Sequence, residues 1–256
     1  MNKIKVELIS IGNELLSGRT LNTHARDLGK SLFSIGLDLM RDTTIGDNID
    51  LIKDVTKSAL ERSSIVFISG GLGPTVDDIT RDALSDLFDC SIKEDPKLIK
   101  ELKSWYEKKG RKLNSIGIRQ AQILDEAIVI PNPIGAAPAQ KIMHHKDKVC
   151  YVLPGPPNEF NAILNNYILP ELKSKFPNLT PKAVRSIKTR GIGESDIVEI
   201  MQKNNVYIPT TIETGFYPAQ GRVEIRLTAE SNQRDALEDS NKKLKSIFSD
   251  WLEKTT

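Results

Sequence analysis

The segment 65–80 constrains the fold more than any other stretch of the chain. Residues 65–69 are apolar or small and predict a buried strand, which runs directly into Gly70, Gly71 and Gly73 and then into a helix-like pattern. Glycine-rich backbone exposes bare N–H groups, and these favour phosphate together with the positive end of a helix dipole. The segment therefore predicts a strand that ends at a site for a phosphate or pyrophosphate compound.

Strand and helix patterns alternate before and through this segment. Their order is strand 6–10, helix from Leu21, strand 37–44, helix from Asn48 and strand 65–69. This order is typical of a mostly parallel sheet with helices on both faces, that is, of an α/β fold. Ligands on such sheets bind beyond the carboxyl ends of the strands. We therefore expect the loops 12–18, 46–48 and 70–78 to meet on one rim.

The second part of the chain has a different pattern. Residues 173–182 are polar and contain two prolines, which is typical of a linker, so we expect domains at 1–172 and 173–256. The patterns that follow are strand 183–189, helix 194–203, strands 207–213 and 222–229, and a last helix. This β-α-β-β-α order predicts a small α+β domain.

Charge and cysteine content limit the functional classes. The 256 residues include 36 basic and 34 acidic side chains, and this balance gives no electrostatic footprint for nucleic acid or an anionic membrane. Cys90 and Cys150 are far apart and form neither a metal-ligand spacing nor a disulfide framework. We expect neither a leader nor a membrane-spanning segment, because the first residues show no basic-then-apolar pattern and no apolar run approaches membrane-spanning length. We expect a cytoplasmic protein.

Acidic residues stand beside the predicted phosphate site. Asp77 and Asp78 could hold a hard divalent ion against a phosphate, or they could stabilise the first turn of a helix. Glu14 lies in the loop after the first strand pattern. It is a candidate general base that takes a proton from water, and its alternative is a surface glutamate.

Other residues near these loops could contact phosphate or ribose. Thr75 could donate to a phosphate oxygen or cap the following helix, and Pro74 stiffens the loop. Asn22 could bind the ribose or a phosphate, or cap the first helix. Arg119 could pair with a phosphate, or it could be a surface arginine.

Several motifs follow one another in a specific order. They are Ile-Ser-Ile-Gly-Asn-Glu-Leu-Leu-Ser-Gly at 9–18, Gly-Asp-Asn at 46–48, Gly-Gly-Leu-Gly-Pro-Thr-Val-Asp-Asp-Ile-Thr at 70–80, Arg-Gln-Ala at 119–121, Asn-Pro at 132–133, Leu-Pro-Gly-Pro-Pro-Asn-Glu at 153–159, Gly-Ile-Gly-Glu-Ser at 191–195 and Val-Glu-Ile-Arg-Leu-Thr at 223–228. With them the chain resembles the competence/damage-inducible CinA family, within the molybdopterin-binding domain superfamily of MogA, MoaB and MoeA. The run at 135–139 lacks a Thr that the family often has, and Asn13 stands where Thr is common.

The resemblance implies a fold and a function. The fold would be a MogA-like three-layer α/β domain followed by a KH-like domain. The first domain would hydrolyse the pyrophosphate bond of ADP-ribose or a related ADP-X compound with a divalent metal. The alternative is a molybdopterin-binding protein without hydrolase activity. Many family members carry a further nicotinamide mononucleotide deamidase domain, and because this chain stops before it we expect no deamidase activity.

The resemblance also implies site residues. Asp47 and Asp78 match aspartates of the superfamily, and we expect both to be catalytic together with Glu14. We expect Asp47, Asp77 and Asp78 to hold Mg²⁺, Mn²⁺ or Co²⁺, the ions that suit an oxygen-only site. The expected substrate- and phosphate-binding residues are Gly12, Asn22, Gly70, Gly71, Gly73, Pro74, Thr75, Thr80, Arg119, Gly155 and Pro156.

The second domain lacks the features of an RNA-binding KH module. A working loop needs Gly-x-x-Gly beside a basic groove, whereas Gly191-Ile-Gly193 is followed by Glu194, Ser195 and Asp196. Glu194 and Asp196 would repel a phosphate backbone, so we expect no nucleic-acid partner. We expect instead that the small domain packs against a partner subunit in a homodimer or another homo-oligomer. Trp105 and Trp251 are expected to cover the edges of cores.

Overall fold

The computed structural model describes residues 4–145 and 147–253, and the chain divides into two compact units. The first unit comprises the residues up to Pro177, except Ser34–Gly36. The second unit comprises Ser34–Gly36 and the residues from Asn178 onward. The helix that ends the first unit continues to Lys175, past the point at which the sequence pattern places the start of the linker.

The first unit contains a six-stranded sheet in the order β2-β1-β3-β8-β7-β6. Its strands are β1 (Val6–Ile11), β2 (Leu39–Ile45), β3 (Ile65–Ser69), β6 (Ile128–Ile130), β7 (Ala139–His144) and β8 (Lys148–Leu153). The pairs β1–β2, β1–β3 and β3–β8 are parallel, and β7 pairs antiparallel with both β8 and β6. The mostly parallel sheet predicted from the sequence is confirmed. Lys146, between β7 and β8, lies outside the described residues.

The first unit also contains helices. They are α1 (Asn13–Leu16), α2 (His24–Phe33), α3 (Ile49–Arg62), α4 (Thr80–Phe88), α5 (Pro96–Lys108), α6 (Pro157–Ile163) and α7 (Leu169–Lys175). A separate two-stranded pair joins β4 (Ile92–Glu94) to β5 (Gln122–Leu124).

Burial of the central strands fixes the sheet within the unit. All six residues of β1 and all five of β3 are buried. Alternate residues of β1, such as Ile9, share a core cluster with Ile52 of α3 and Leu84 of α4. The intervening residues, such as Leu8, are also fully buried. Strands buried on both faces read as continuous apolar runs, which is the pattern of a parallel sheet covered on both sides.

The first helix begins later than its sequence pattern suggests. Leu21 was expected to open the apolar stripe, but it is 81% exposed and precedes α2. The Asn22 side chain accepts a hydrogen bond from the N–H of His24, the first residue of α2. This side-chain bond competes with continuation of the helix toward Leu21, so the stripe starts one turn later.

The second unit has the predicted β-α-β-β-α order. It comprises β9 (Ala183–Arg190), α8 (Glu194–Lys203), β10 (Ile212–Ala219), β11 (Arg222–Ala229) and α9 (Arg234–Ile247), with the antiparallel sheet order β10-β11-β9.

The strand predicted at 207–213 is wrong in its placement. The observed strand β10 begins at Ile212, and its register is set by pairing with β11 from Ile212↔Ala229 to Ala219↔Arg222. Pro209 lacks the N–H that a paired strand would use, whereas Pro218 is tolerated because β10 lies at the edge of the sheet.

None of the helices in the described ranges has the length and apolar content needed to cross a bilayer.

Candidate active site

The loops that follow four strands are joined by hydrogen bonds. The Gly12 N–H donates to the Ile45 carbonyl at 3.0 Å, and the Gly70 N–H donates to the Leu153 carbonyl at 3.1 Å. The Asn13 N–H, at the start of α1, donates to Oδ2 of Asp47 at 2.9 Å. The ends of β1, β2, β3 and β8 therefore meet on one rim. This confirms the convergence expected for the loops after the first three strands.

A cleft of about 490 Å³ opens on this rim. Ten of the residues expected at the site line it: Gly12, Glu14, Asp47, Gly70, Gly71, Gly73, Asp77, Asp78, Gly155 and Pro156. We call this space the acidic cleft. It is the candidate active site.

Two glycines allow the backbone to enter the acidic cleft. Gly70 has φ +108°, and a Cβ there would overlap the carbonyl oxygen of Ile11. Gly71 has φ +65°, and a Cβ there would overlap Oγ1 of Thr80. Left-handed backbone in such close contact is open only to glycine. These two residues therefore let β3 turn sharply where it meets the end of β1.

Asp78 ties the glycine loop, residues 70–73, to the turn that follows it. Its Oδ1 accepts from the Gly73 N–H at 2.7 Å, and its Oδ2 accepts from the N–H of Thr75 at 2.9 Å and from the Thr75 hydroxyl. The Gly73 N–H, expected to face phosphate, is thus bound by the protein's own carboxylate. Because α4 begins only at Thr80, Asp78 precedes the helix and does not lie in its first turn.

Two N–H groups of the glycine loop have no hydrogen-bond partner among the described residues. Within residues 4–145 and 147–253, the N–H groups of Gly71 and Leu72 donate to no protein acceptor. Behind them, the guanidinium of Arg81 donates to the carbonyls of Leu72 and Gly73 at 2.9 and 2.8 Å. Burial lowers the pKa of Arg81 to about 10, which still leaves it charged at neutral pH. The loop therefore has a positive charge beneath it and two free donors.

Arg81 was not among the residues expected at the site. It is only 2% exposed, although it is the second residue of α4 and stands between Asp78 and Asp82 in the sequence. Leu84, three residues after Arg81 on the same face of α4 and fully buried, was the available signal that this face is turned inward.

Glu159 is a further acidic residue of the cleft that the expected site did not include. It lies in the first turn of α6 and is half-buried. Its Oε2 accepts from Nδ2 of Asn132 at 2.6 Å, and its carboxylate lies so close to Gly135 that a Cβ there would overlap it. Burial raises the pKa of Glu159, and the Asn132 hydrogen bond opposes part of that effect. The motifs at 132–133 and 153–159 contain the two residues, but neither motif indicates that they pair.

Five residues expected to bind substrate do not line the acidic cleft: Asn22, Pro74, Thr75, Thr80 and Arg119. Thr80 is fully buried and donates its hydroxyl to the Gly70 carbonyl at 2.9 Å. Arg119 donates to the Thr75 carbonyl at 3.1 Å and contacts Asp82 at 3.4 Å. Asn22 donates to the Thr44 hydroxyl at 3.1 Å. These contacts connect the loops to neighbouring elements, and binding of substrate by these five residues stays a prediction.

The charged side chains that line the acidic cleft are all carboxylates. Glu14, Asp47, Asp77, Asp78 and Glu159 line it, and none of its described lining residues is Lys, Arg or His. A phosphate entering this space would be repelled unless a cation accompanied it.

The carboxylates have the right chemistry for a hard divalent ion but do not form a complete ligand set. Their oxygens are the donors that Mg²⁺ and Mn²⁺ take. In the part of the chain that the structure describes, no three His, Cys, Asp or Glu side chains converge to hold a metal. Asp78 uses both oxygens, and Asp47 uses one, to bind the loops. A cation would therefore need oxygens from a bound substrate as well.

Comparison with known proteins places the chain in a family. A family model described as "Probable molybdopterin binding domain" matches residues 7–174, and one described as "Damage-inducible protein CinA KH domain" matches residues 184–252. A crystal structure described as the protein CinA with unknown function, from Thermoplasma acidophilum, is 32% identical with a TM-score of 0.59. The match covers 68% of this chain and 98% of that one.

The chain belongs to the CinA family. The resemblance stated from the motifs is confirmed, as is the fold of a MogA-like α/β domain followed by a small KH-like domain. A CinA-like protein from Deinococcus deserti is 34% identical over 90% of this chain, and one from Dictyoglomus thermophilum is 33% identical over 92%. The chain spans 56% of the length of each of these CinA relatives.

One departure from the CinA pattern has a defined structural role. Asn13 stands where Thr is common in the family, and its Oδ1 accepts from the Asp47 N–H at 3.3 Å. Together with the bond from the Asn13 N–H to the Asp47 carboxylate, this makes a reciprocal pair. The pair fixes the Asp47 carboxylate at the start of α1, where it faces the acidic cleft.

Proposed function

We propose that this protein hydrolyses the pyrophosphate bond of ADP-ribose or a related ADP-X dinucleotide in the acidic cleft, with a divalent metal ion. The observation that carries the proposal is the composition of the cleft lining. Two free loop N–H groups accompany five carboxylates and no basic side chain. A diphosphate bound with a cation satisfies both features, since the N–H groups bind its oxygens and the cation offsets the repulsion.

The protein's own groups have separable roles in this reaction. The N–H groups of Gly71 and Leu72 bind and orient phosphate oxygens, and Arg81 supports them from behind. Water attacks one phosphorus, and the bridging oxygen leaves on the other phosphate. For ADP-ribose the products are AMP and ribose 5-phosphate. Glu159 accepts the proton that the water loses, because a half-buried carboxylate with a raised pKa is a stronger base than an exposed one.

A divalent ion would be held by the free oxygen of Asp47 and by Asp77, together with substrate phosphate oxygens. Bound there, it would offset phosphate charge and lower the pKa of a water molecule.

Hydrolysis should depend on an added metal. We expect release of AMP from ADP-ribose with Mg²⁺, Mn²⁺ or Co²⁺ and loss of the activity in excess EDTA, because the cleft lining supplies no positive charge of its own. Chromatographic quantification of AMP in a panel of ADP-ribose, FAD, NADH and ATP with each metal measures this. Absence of hydrolysis throughout the panel, with retention of molybdopterin in calorimetry, would instead support the pterin-binding alternative.

Glu159 should control the acidic side of the pH–rate profile. As a general base it works only when ionised, so kcat should fall as the pH drops through its pKa. Since burial raises that pKa, the fall should begin at a higher pH than for an ordinary glutamate. Glu159→Gln should lower kcat by about 100-fold or more and remove this limb.

Glu14→Gln is the matched control for the general base. Glu14 also lines the acidic cleft but is exposed, so its loss removes the same charge without removing the half-buried carboxyl. If Glu14→Gln removed the acidic limb and Glu159→Gln left it in place, the roles of the two residues would be reversed.

A further inference from the structure

A second cleft of about 320 Å³ adjoins the acidic cleft. Its wall is mainly apolar, formed by Leu98, Leu102, Trp105, Val129, Pro131 and Pro138. Trp105 and Ala136 line both clefts. We call the second space the Trp105 cleft. Trp105 was expected to cover a core edge, but its position between the two clefts gives it access to a ligand that occupies both.

The two clefts are also linked through polar contacts. Asn132 lines the Trp105 cleft and donates to Glu159 of the acidic cleft at 2.6 Å. Gly135 and Ala136, on the wall of the Trp105 cleft, carry little or no side chain. A ligand whose diphosphate lies in the acidic cleft can therefore extend past these small residues toward Trp105.

The side chains of the Trp105 cleft determine which end of a dinucleotide can bind there. An indole face among aliphatic side chains suits a planar heterocyclic ring, which gains stacking and apolar burial there. A phosphate would instead meet Asp95 and Glu101 on the rim, with Lys97 as the cation among the described lining residues. The ring end of a dinucleotide fits this cleft and the sugar-phosphate end does not.

We infer that the Trp105 cleft is the base-binding subsite and that the adenine ring of an ADP-X substrate stacks on Trp105. This inference rests on the proposed function, because it needs the diphosphate to occupy the acidic cleft. The inference goes beyond the proposed function in one respect. The protein would recognise the purine of the substrate, and the X group would contribute little binding affinity through this cleft.

Tryptophan fluorescence tests the inference directly. The chain has two tryptophans, and Trp251 is partly buried against the core of the second unit, so Trp251→Phe leaves Trp105 as the sole indole. Titration of this variant with AMP should quench or shift the emission with saturation. Ribose 5-phosphate, which carries the phosphate and sugar without the ring, should leave it unchanged at the same concentrations. If AMP and ribose 5-phosphate changed the emission equally, or if neither changed it, the inference that the Trp105 cleft binds the base would be wrong.

Kinetics on Trp105 provide the second test. Trp105→Leu should raise KM for ADP-ribose about tenfold or more with little change in kcat, and Trp105→Phe should recover most of the affinity because it keeps an aromatic face. If Trp105→Leu does not fold, the fluorescence titration and Trp105→Phe still decide. A KM that is unchanged in a folded Trp105→Leu protein would overturn the inference while leaving the hydrolase intact. Saturable AMP quenching without AMP release from ADP-ribose would support the subsite and reject the hydrolase.

Discussion

Replacing Gly70 by alanine is expected to destabilise the first unit by roughly 2–4 kcal/mol and to abolish hydrolysis. The added Cβ would overlap the Ile11 carbonyl oxygen, which is backbone at the end of the buried strand β1 and cannot rotate away. The residue would also be held at φ +108°, where alanine is strained. Relief requires β1 and β3 to separate at their carboxyl ends, which displaces the glycine loop from the acidic cleft.

Gly110→Ala is the matched control for Gly70→Ala. Gly110 also has a positive φ, +68°, but a Cβ there meets nothing within 4 Å. Gly110→Ala should lower the free energy of unfolding by only about 1 kcal/mol, the penalty of placing alanine in left-handed backbone, and should leave activity unchanged. Urea unfolding followed by Trp105 emission in the Trp251→Phe background measures both variants. Equal destabilisation of the two proteins would show that the close approach to Ile11 is not what fixes Gly70.

Asp78→Asn is expected to lower kcat/KM for ADP-ribose by about 100-fold or more. The carboxylate accepts three hydrogen bonds from Gly73 and Thr75, and an amide directs N–H hydrogens at some of these donors. At least one loop N–H then loses its acceptor, so the free donors of Gly71 and Leu72 are no longer held in place. The variant also removes one negative charge from the cleft.

Two measurements separate the effect on the loop from the effect of charge. Asp86→Asn removes the same charge from the exposed side of α4, where Asp86 pairs with Lys53 at 3.4 Å, and it should retain full activity. Amide hydrogen exchange at Gly73 and Thr75 should accelerate in Asp78→Asn and stay unchanged in Asp86→Asn. Activity of Asp78→Asn within a few-fold of the natural protein would contradict the role given to this carboxylate.

These expectations change the interpretation of the acidic residues. Asp78 was expected to be catalytic and to bind metal, and the structure adds that it binds the loop amides that were assigned to phosphate. The donors left for a ligand are those of Gly71 and Leu72. Glu159, held by Asn132, joins Glu14 as a candidate base. The metal ion and the homo-oligomer stay predictions.

The fold and the position of the site could be predicted from the sequence because their causes are local. Apolar periodicity distinguishes strands from helices, and the glycines at 70 and 71 follow a buried strand directly. The parallel order then requires the strand-end loops to gather at one edge. Local patterns failed where a side chain or a pairing decided the boundary, as at Leu21 before α2 and at Ile212 in β10.

The tertiary structure alone decided which side chains meet in the cleft. Asn132 and Glu159 are 27 residues apart in sequence and form a hydrogen bond because the loop after β6 and the helix after β8 pack together. Arg81 lies under the glycine loop, and Trp105 of α5 separates the two clefts, for the same reason. Periodicity records only whether a residue faces inward. The partner that it contacts depends on how distant elements pack, and a single sequence carries no local signal for that.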